Sequence, residues 1–363
     1  MSKRVVAIVF GGRSSEHTIS CSTAGGVLAS IDRERFDVIP VGITRDGAFT
    51  LQPDDAERFV MNPDAMPEVH DNGTRVLWPD AASTRELRVV DADGSIRSLG
   101  EIDVAFPILH GPWGEDGTIQ GMFELIGLPY VGNGVLASAL AMDKHHAKTA
   151  VQAAGIDVAP WVSITPAKWS RDEALWRGRI AALGLPVFVK PARAGSSVGV
   201  TKVSNAAALD EALAAAWEHD GTALVESAIA GREIECAVLG GVDGAPPRVS
   251  LAGEIVVTGR EFYDFEAKYL DGDAAELICP TTLGRRELEQ LQRIAARAFD
   301  ALGCAGLARV DVFLTGEGFV FNELNTMPGF TPISMFPKCW EASGIGYSEL
   351  ITELIELGLT ERR

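Results

Sequence analysis

Four polar residues near the C-terminus stand where side chains of their type can do chemistry. Arg309 and Asp311 interrupt the apolar run Ala308-Arg-Val-Asp-Val-Phe313, and Glu323 and Asn325 interrupt Phe319-Val-Phe-Asn-Glu-Leu-Asn325. Thr315-Gly-Glu-Gly318 lies between the two runs, so the segment reads as a β-hairpin. Side chains alternate faces along a strand. Arg309 therefore shares a face with Asp311, Glu323 shares one with Asn325, and across a hairpin the two faces can coincide. Three oxygen donors and one guanidinium would then meet on a surface otherwise built for burial. Hard oxygen donors suit Mg²⁺, which keeps water and completes its shell with phosphate. The hairpin thus predicts a nucleoside-triphosphate site. A merely solvated face gives the same alternation, but Asn325 runs straight into Thr326-Met-Pro-Gly-Phe-Thr331, a loop with Gly and Pro beside the same spot.

Other segments could serve such a site. Lys190-Pro-Ala-Arg-Ala-Gly-Ser-Ser-Val-Gly-Val200 carries glycines and the hydroxyls of Ser196 and Ser197, which let backbone N–H groups approach phosphate oxygens. It leads to a strand and is no Walker loop, and the chain holds no G-x-G-x-x-G fingerprint. A Gly-Ser turn is also an ordinary hairpin device. Lys190 tilts the reading to phosphate, because a lysine ending an apolar strand needs an anion to offset its desolvation. Glu226 and Glu233 could accept hydrogen bonds from ribose hydroxyls or an adenine amine, or be surface charges. His110-Gly-Pro-Trp-Gly-Glu-Asp-Gly-Thr-Ile-Gln-Gly121 and Gly11-Gly-Arg-Ser-Ser-Glu-His17 each follow a strand, at the sheet edge where open α/β folds gather ligands. His17, His145 and His146 lack metal-ligand spacing and read as structural or exposed. Glu261-Phe-Tyr-Asp-Phe-Glu-Ala-Lys-Tyr269 reads either as a lid that shields an acyl phosphate from water or as a crossing loop with packed aromatics.

These segments need a scaffold, and the chain is long enough to build one. Its 363 residues predict two or three domains. With 47% hydrophobic and 23% charged residues it has the composition of an ordinary globular protein. A net charge of −18 argues against nucleic acid or an anionic membrane as partner, though not against a small anionic substrate. Five widely spaced cysteines without Cys-x-x-Cys predict neither a disulfide framework nor a zinc site, and a reducing cytoplasmic setting. No apolar run reaches membrane-spanning length, and the N-terminal one is too short for a signal peptide. Strands near 5–10, 36–43 and 104–109 with a helix near 19–31 predict a parallel sheet, interrupted by an insertion of short strands and turns over about 51–100. Residues 142–154 predict a helix. Strands at 161–165, 187–190 and 223–226 with helices at 170–183 and 209–217 predict a smaller α+β unit. Strands at 234–240 and 248–258, a helix at 285–302, the hairpin and a helix at 347–357 complete the reading.

With these residues in hand, the chain resembles the D-alanine:D-alanine ligase family of the ATP-grasp superfamily over nearly its whole length. The motifs that carry the resemblance are His110-Gly-x-x-Gly-Glu-Asp-Gly-x-Ile-Gln-Gly121, Lys190-Pro-x-Arg-x-Gly-Ser-Ser-x-Gly199, Tyr263-Asp-x-Glu-Ala-Lys-Tyr269, Arg309-x-Asp311 and Glu323-x-Asn325-x-x-Pro-Gly329. The resemblance implies an N-terminal α/β domain (1–138) followed by an ATP-grasp fold of two α+β domains (139–225 and 226–363). It implies that two D-alanine molecules are joined through a D-alanyl phosphate, with ADP and phosphate released, for peptidoglycan precursors. It implies Lys144, Lys190, Ser196 and Ser197 on the phosphates, and Glu226 and Glu233 on adenine and ribose. Asp311, Glu323 and Asn325 would hold two Mg²⁺, with Mn²⁺ able to substitute. Glu16 would anchor the first ammonium, and His110 would also contact substrate. Lys268 and Ser334 would take the second carboxylate, Arg309 and the Gly329 N–H the oxyanion, and Tyr269 would link Ser196 to Glu16. A homodimer is implied as well. Ser227 and Ala228 stand where relatives carry Lys and Trp, and Tyr269 favours the dipeptide over a D-alanine:D-lactate product. A D-alanine:D-lactate ligase or another ATP-grasp carboxylate–amine ligase, and a non-catalytic nucleotide-binding homologue, are the rival readings.

Overall fold

The computed structural model describes residues 3–62, 65–195, 198–242, 244–257 and 275–360. Ser196, Ser197, Lys268 and Tyr269, with the whole of 261–269, lie outside the described residues.

Val6 to Phe10 are apolar without interruption and fully buried, the pattern of a strand covered on both faces. This strand, β1 (Arg4–Gly11), pairs in parallel with β2 (Phe36–Ile43) on one side and β7 (Val104–Ile108) on the other. Helix α1 (His17–Ser30) is the crossover from β1 to β2. β3 (Phe49–Leu51) adds antiparallel to β2 and gives the order β3-β2-β1-β7. The predicted insertion forms its own antiparallel sheet of β4 (Arg75–Leu77), β5 (Glu86–Val90) and β6 (Ile96–Glu101). α2 (Thr118–Leu125) follows β7 after the His110–Gly117 loop.

The helix predicted over 142–154 is α4 (Lys144–Ala153); α3 (Val135–Met142), just before it, was not predicted. Asp143 separates them: its backbone is extended and its carboxylate accepts the N–H groups of His145 and His146 at 3.0 and 3.1 Å, an N-cap. The helix predicted over 170–183 is α6 (Glu173–Ala181), which Asp172 caps at Leu175 N and so separates from the unpredicted α5 (Pro166–Arg171). These helices and α7 (Leu209–His219) belong to an antiparallel sheet of β8 (Trp161–Ile164), β9 (Val187–Pro191), β10 (Thr201–Val203) and β11 (Ala223–Ser227), in the order β10-β9-β11-β8.

A five-stranded antiparallel sheet completes the fold. It orders β14-β13-β12-β15-β16 from β12 (Arg232–Leu239), β13 (Arg248–Val257), β14 (Ala275–Ile278), β15 (Leu307–Thr315) and β16 (Gly318–Asn325). α8 (Arg285–Ala301) buries Leu291, Ala295, Ala298 and Phe299 against one face, a stripe at helical spacing. Ala141, Ala147 and Val151 of α3 and α4 join that same core. The sequence reading passed over α9 (Met335–Ala342); α10 (Tyr347–Leu359) ends the described chain. Both bury residues in a core shared with β1, α1 and β7. The sheet of β8 to β11 keeps a separate core. Among the described residues no helix is long and apolar enough to cross a membrane.

Candidate active site

A cleft of about 680 Å³ is lined by residues of the two antiparallel sheets and of the loops after β1 and β7. Every candidate site residue among those described lines it: Glu16, His110, Lys144, Lys190, Glu226, Glu233, Arg309, Asp311, Glu323, Asn325, Gly329 and Ser334. The alternation of faces puts the hairpin residues there, with one addition. A two-residue turn joins Thr315 to its partner Gly318, and from that turn a regular ladder would set Asp311 opposite Asn322. Instead Val312 pairs with Phe321 and Asp311 with Glu323, so Asn322 is the extra residue of a β-bulge. The bulge lets Phe319, Phe321 and Leu324 all face the core while Glu323 and Asn325 face the cleft. Arg309 then stands opposite Asn325.

Within this group Arg309 grips Asp311 with two bonds of 2.7 Å, from Nε to Oδ1 and from its terminal nitrogen to Oδ2. Its Nε also lies 3.2 Å from Glu235 Oε2, the carboxylate beside Asp311 on β12. Burial alone would lower the pKa of Arg309, but Asp311 and Glu235 hold it well above its ordinary value. The guanidinium is therefore a fixed, oriented cation. Asn325 donates to Asp311 Oδ2 at 2.9 Å. Lys144 Nζ sits 3.6 Å from Glu323 and donates to Ala194 O at 2.8 Å, joining the hairpin to the Gly-Ser loop. Two carboxylates and an amide oxygen are a donor set for a hard divalent cation. They fit Mg²⁺ provided Asn325 turns its oxygen, now away from Asp311, toward the ion. Among the described residues no three His, Cys, Asp or Glu side chains form a metal cluster; the third donor here is an amide.

Deeper in the cleft Lys190 and Glu226 are ion-paired, and Lys148 reaches the other Glu226 oxygen at 3.0 Å. The anion that offsets the desolvation of Lys190 is thus already present as Glu226. Lys190 therefore needs no phosphate to offset its burial, and its place in the cleft wall is what points it to that ligand. Burial opposes ionisation of Glu226, yet the two lysines hold its pKa below the ordinary value.

At the other end, Glu16 precedes α1 and is buried between two glycine loops. A Cβ on either Gly111 or Gly195 would come within 2.8 Å of its Oε2. Ser14 accepts the Glu16 N–H and donates to His110 O at 2.7 Å, tying the two strand-end loops together. His110 Nδ1 meets Met327 O at 3.0 Å; burial pushes its pKa down, and Glu16 partly opposes this. Glu115 accepts both Gly111 N at 2.8 Å and Met327 N at 3.0 Å. Burial, reinforced by Glu16, raises its pKa to about 8. Asn133 donates to Thr326 O at 2.9 Å. The peptide of Met327, two residues before Gly329, is therefore held at both its N–H and its C=O. Ser334 accepts Thr331 N at 3.1 Å at the start of α9, and a Cβ on Gly329 would lie 3.2 Å from its hydroxyl. His17 is structural, as its spacing predicted: it contacts Gly12 O at 2.6 Å and accepts Val69 N at 3.0 Å.

Three contributors went unnamed in the sequence reading. Glu115 lay within a motif already singled out. Lys148 stands one helical turn after Lys144, and Glu235 two residues after Glu233, so each shares its neighbour's face. Period alone could have found both.

An open, mainly parallel sheet followed by two antiparallel sheets that line one cleft, with lysines on one wall and acidic side chains on the other, is the architecture of an ATP-grasp ligase. The sequence family described as D-ala D-ala ligase N-terminus matches residues 5–133, and D-ala D-ala ligase C-terminus matches 150–356. A D-alanine–D-alanine ligase of Arthrobacter sp. (strain FB24) is 50% identical, over 99% of this chain and 95% of that protein. The solved VanG D-Ala:D-Ser ligase from Enterococcus faecalis superposes with a TM-score of 0.84 at 36% identity, covering 98% of this chain and 100% of that one. The D-alanine-D-alanine ligase from Coxiella burnetii gives 0.81 at 33%, covering 99% and 94%. The chain belongs to the D-alanine–D-alanine ligase family. Membership carries with it ligase activity dependent on ATP and Mg²⁺.

Proposed function

We propose that the chain joins two D-alanine molecules into D-alanyl-D-alanine, with ATP converted to ADP and phosphate, and that it works as three units: 1–138, 139–225 and 226–363. A carboxylate oxygen of the first D-alanine attacks the γ-phosphorus, ADP leaves, and a D-alanyl phosphate forms. The amine of the second D-alanine then attacks the acyl carbon, and the tetrahedral species collapses with loss of phosphate. Glu16 anchors the first ammonium, and His110, in the loop that faces it, also contacts substrate. Lys144 and Lys190, with Ser196 and Ser197, hold the phosphates; Glu226 and Glu233 take adenine and ribose. Arg309 and the Gly329 N–H stabilise the oxyanion, a type of donor whose removal costs about 10²–10³ in rate. Ser334 and Lys268 receive the second carboxylate, and Tyr269 joins Ser196 and Glu16. Asp311, Glu323 and Asn325 would hold two Mg²⁺, with Mn²⁺ able to substitute, and ions held there would neutralise charge on the transferred phosphoryl group. The working form is a homodimer.

The observation that carries this reading is the convergence of Arg309, Asp311, Glu323 and Asn325 on one face of the cleft that Glu16, Lys144 and Lys190 also line. Phosphate release is measured with ATP, Mg²⁺ and D-alanine, and D-alanine is replaced in turn by L-alanine, D-serine and D-lactate. D-Serine belongs in the series because a structural relative is a D-Ala:D-Ser ligase. Turnover with D-alanine alone is expected, and folded protein inert toward D-alanine would overturn the reading.

A further inference from the structure

Lys148 is among the largest fully buried side chains, with 1% of its surface exposed, and it does not line the cleft. A lysine so placed needs a compensating anion, and Glu226 supplies it at 3.0 Å. Glu226 already has a cationic partner, however, since its other oxygen pairs with Lys190, which does line the cleft. One carboxylate between two ammonium groups leaves a surplus of one positive charge. The two lysines are not equivalent. Lys148 approaches from α4, behind the cleft wall, with the Trp161 ring 5.9 Å away on another side. Lys190 stands at the end of β9, in the wall itself. Without Lys148, Lys190 and Glu226 would form a neutral pair, and that stretch of the wall would offer an anionic ligand no net charge.

We propose that Lys148 is a positioning residue that acts as the counter-ion of Glu226, so that the charge of Lys190 remains available to the nucleotide triphosphate. This rests on the reading of the cleft as an ATP site. It also accounts for the spacing within α4: Lys144 and Lys148 lie one turn apart on one face, the first reaching toward the phosphate end beside Glu323 and the second supporting the wall from behind.

The test is direct binding of ATP and of adenosine, by calorimetry, to the full-length chain and its variants. Lys148→Gln keeps a polar N–H group behind Glu226 and removes the charge. It is expected to weaken ATP binding about tenfold, because Glu226 then neutralises the charge that Lys190 presents to the phosphates, while adenosine, which has no phosphate, binds within about threefold of native. Lys148→Arg keeps the charge and should bind ATP like the native chain. Lys148→Met placed in a Glu226→Gln background should cost ATP affinity little relative to Glu226→Gln alone, because the anion it balances is gone; this arm serves even where Lys148→Gln does not fold. Equal weakening of ATP and adenosine in Lys148→Gln would overturn the proposal, as would an undiminished penalty for Lys148→Met in the Glu226→Gln background. If the native chain bound no ATP, the assignment of the cleft would fall first; native binding with an unaffected Lys148→Gln would sink this inference alone.

Discussion

Glu323 and Asp311 face each other across one rung of the hairpin, and Lys144 lies 3.6 Å from Glu323. Glu323→Gln keeps the shape and removes the charge. Turnover is expected to fall about 10²-fold or more, since an amide would not give a divalent cation the charge that a carboxylate ligand gives. The melting temperature should scarcely change, because Glu323 is only half-buried. Steady-state phosphate release beside a thermal melt checks both halves; near-native turnover would remove Glu323 from the metal site. Glu115 gives a prediction in pH. Its folded pKa of about 8 lies above the ordinary carboxylate value, so between the two the folded chain keeps a proton that the unfolded chain has released. Its contribution to stability is present below the ordinary value and is lost as pH rises through about 8. Glu115→Gln lacks that loss. The melting temperature of the variant, relative to native, should rise steadily from about pH 5 to about pH 8.5; a constant difference would show that Glu115 does not titrate there. At this scale the sequence was legible wherever residue type and period coincide, as at Arg309, Asp311, Glu323 and Asn325. Lys190 misled in one respect, because a chain of letters does not reveal that Glu226, distant in sequence, is already its partner.

Among elements, β16 shows what alternation alone misses. Phe319, Phe321 and Leu324 are spaced by two and then three, and that change of interval is the trace of the bulge at Asn322. A reader following strict alternation from the turn would have turned Glu323 into the core. α9 left a weaker trace: it is a short helix with Pro337 inside its first turn, where proline is tolerated, and so offers no long periodic stripe. The packing of α9 is nonetheless specific. A Cβ on Gly253 of β13 would lie 2.0 Å from the sulfur of Met335, the first residue of α9. Gly253→Ala must displace the buried Met335 side chain at the start of this helix, next to Ser334. It is expected to cost about 1–3 kcal/mol, the usual penalty of overpacking, and to raise KM for one D-alanine more than KM for ATP. Urea unfolding and initial rates over both substrates check this, and an unchanged urea midpoint would show that β13 does not set the position of α9.

Over the whole molecule the cores divide unevenly. β1, α1 and β7 share buried residues with β12, α9 and α10, including Phe106, Ala237, Phe330, Phe336 and Trp340. The sheet of β8 to β11 has a core drawn from Ile164 to Val225 alone. Apolar runs in the sequence announced each sheet but not this partition, which depends on which faces meet in space. The cleft lies between the sheet with the private core and the rest, and its lining spans both sides through Lys190 and Glu226 on one and Asp311 and Glu323 on the other. A nucleotide bound there adds contacts across a boundary that the cores do not bridge. A ligand at about 100 times its Kd stabilises the state it binds by about 2.7 kcal/mol, and the element with the fewest other ties to the molecule gains most of the local protection. Addition of ADP and Mg²⁺ should therefore slow amide hydrogen exchange in β9 and β11 well before it slows exchange in β1 and β7, whose closure depends on the larger shared core. Mass-resolved exchange of peptides from 187–191, 223–227 and 4–11 separates the outcomes. Equal slowing in all three would mean that the smaller sheet is bound to the molecule as firmly as the N-terminal sheet, and that the cleft does not open by its movement.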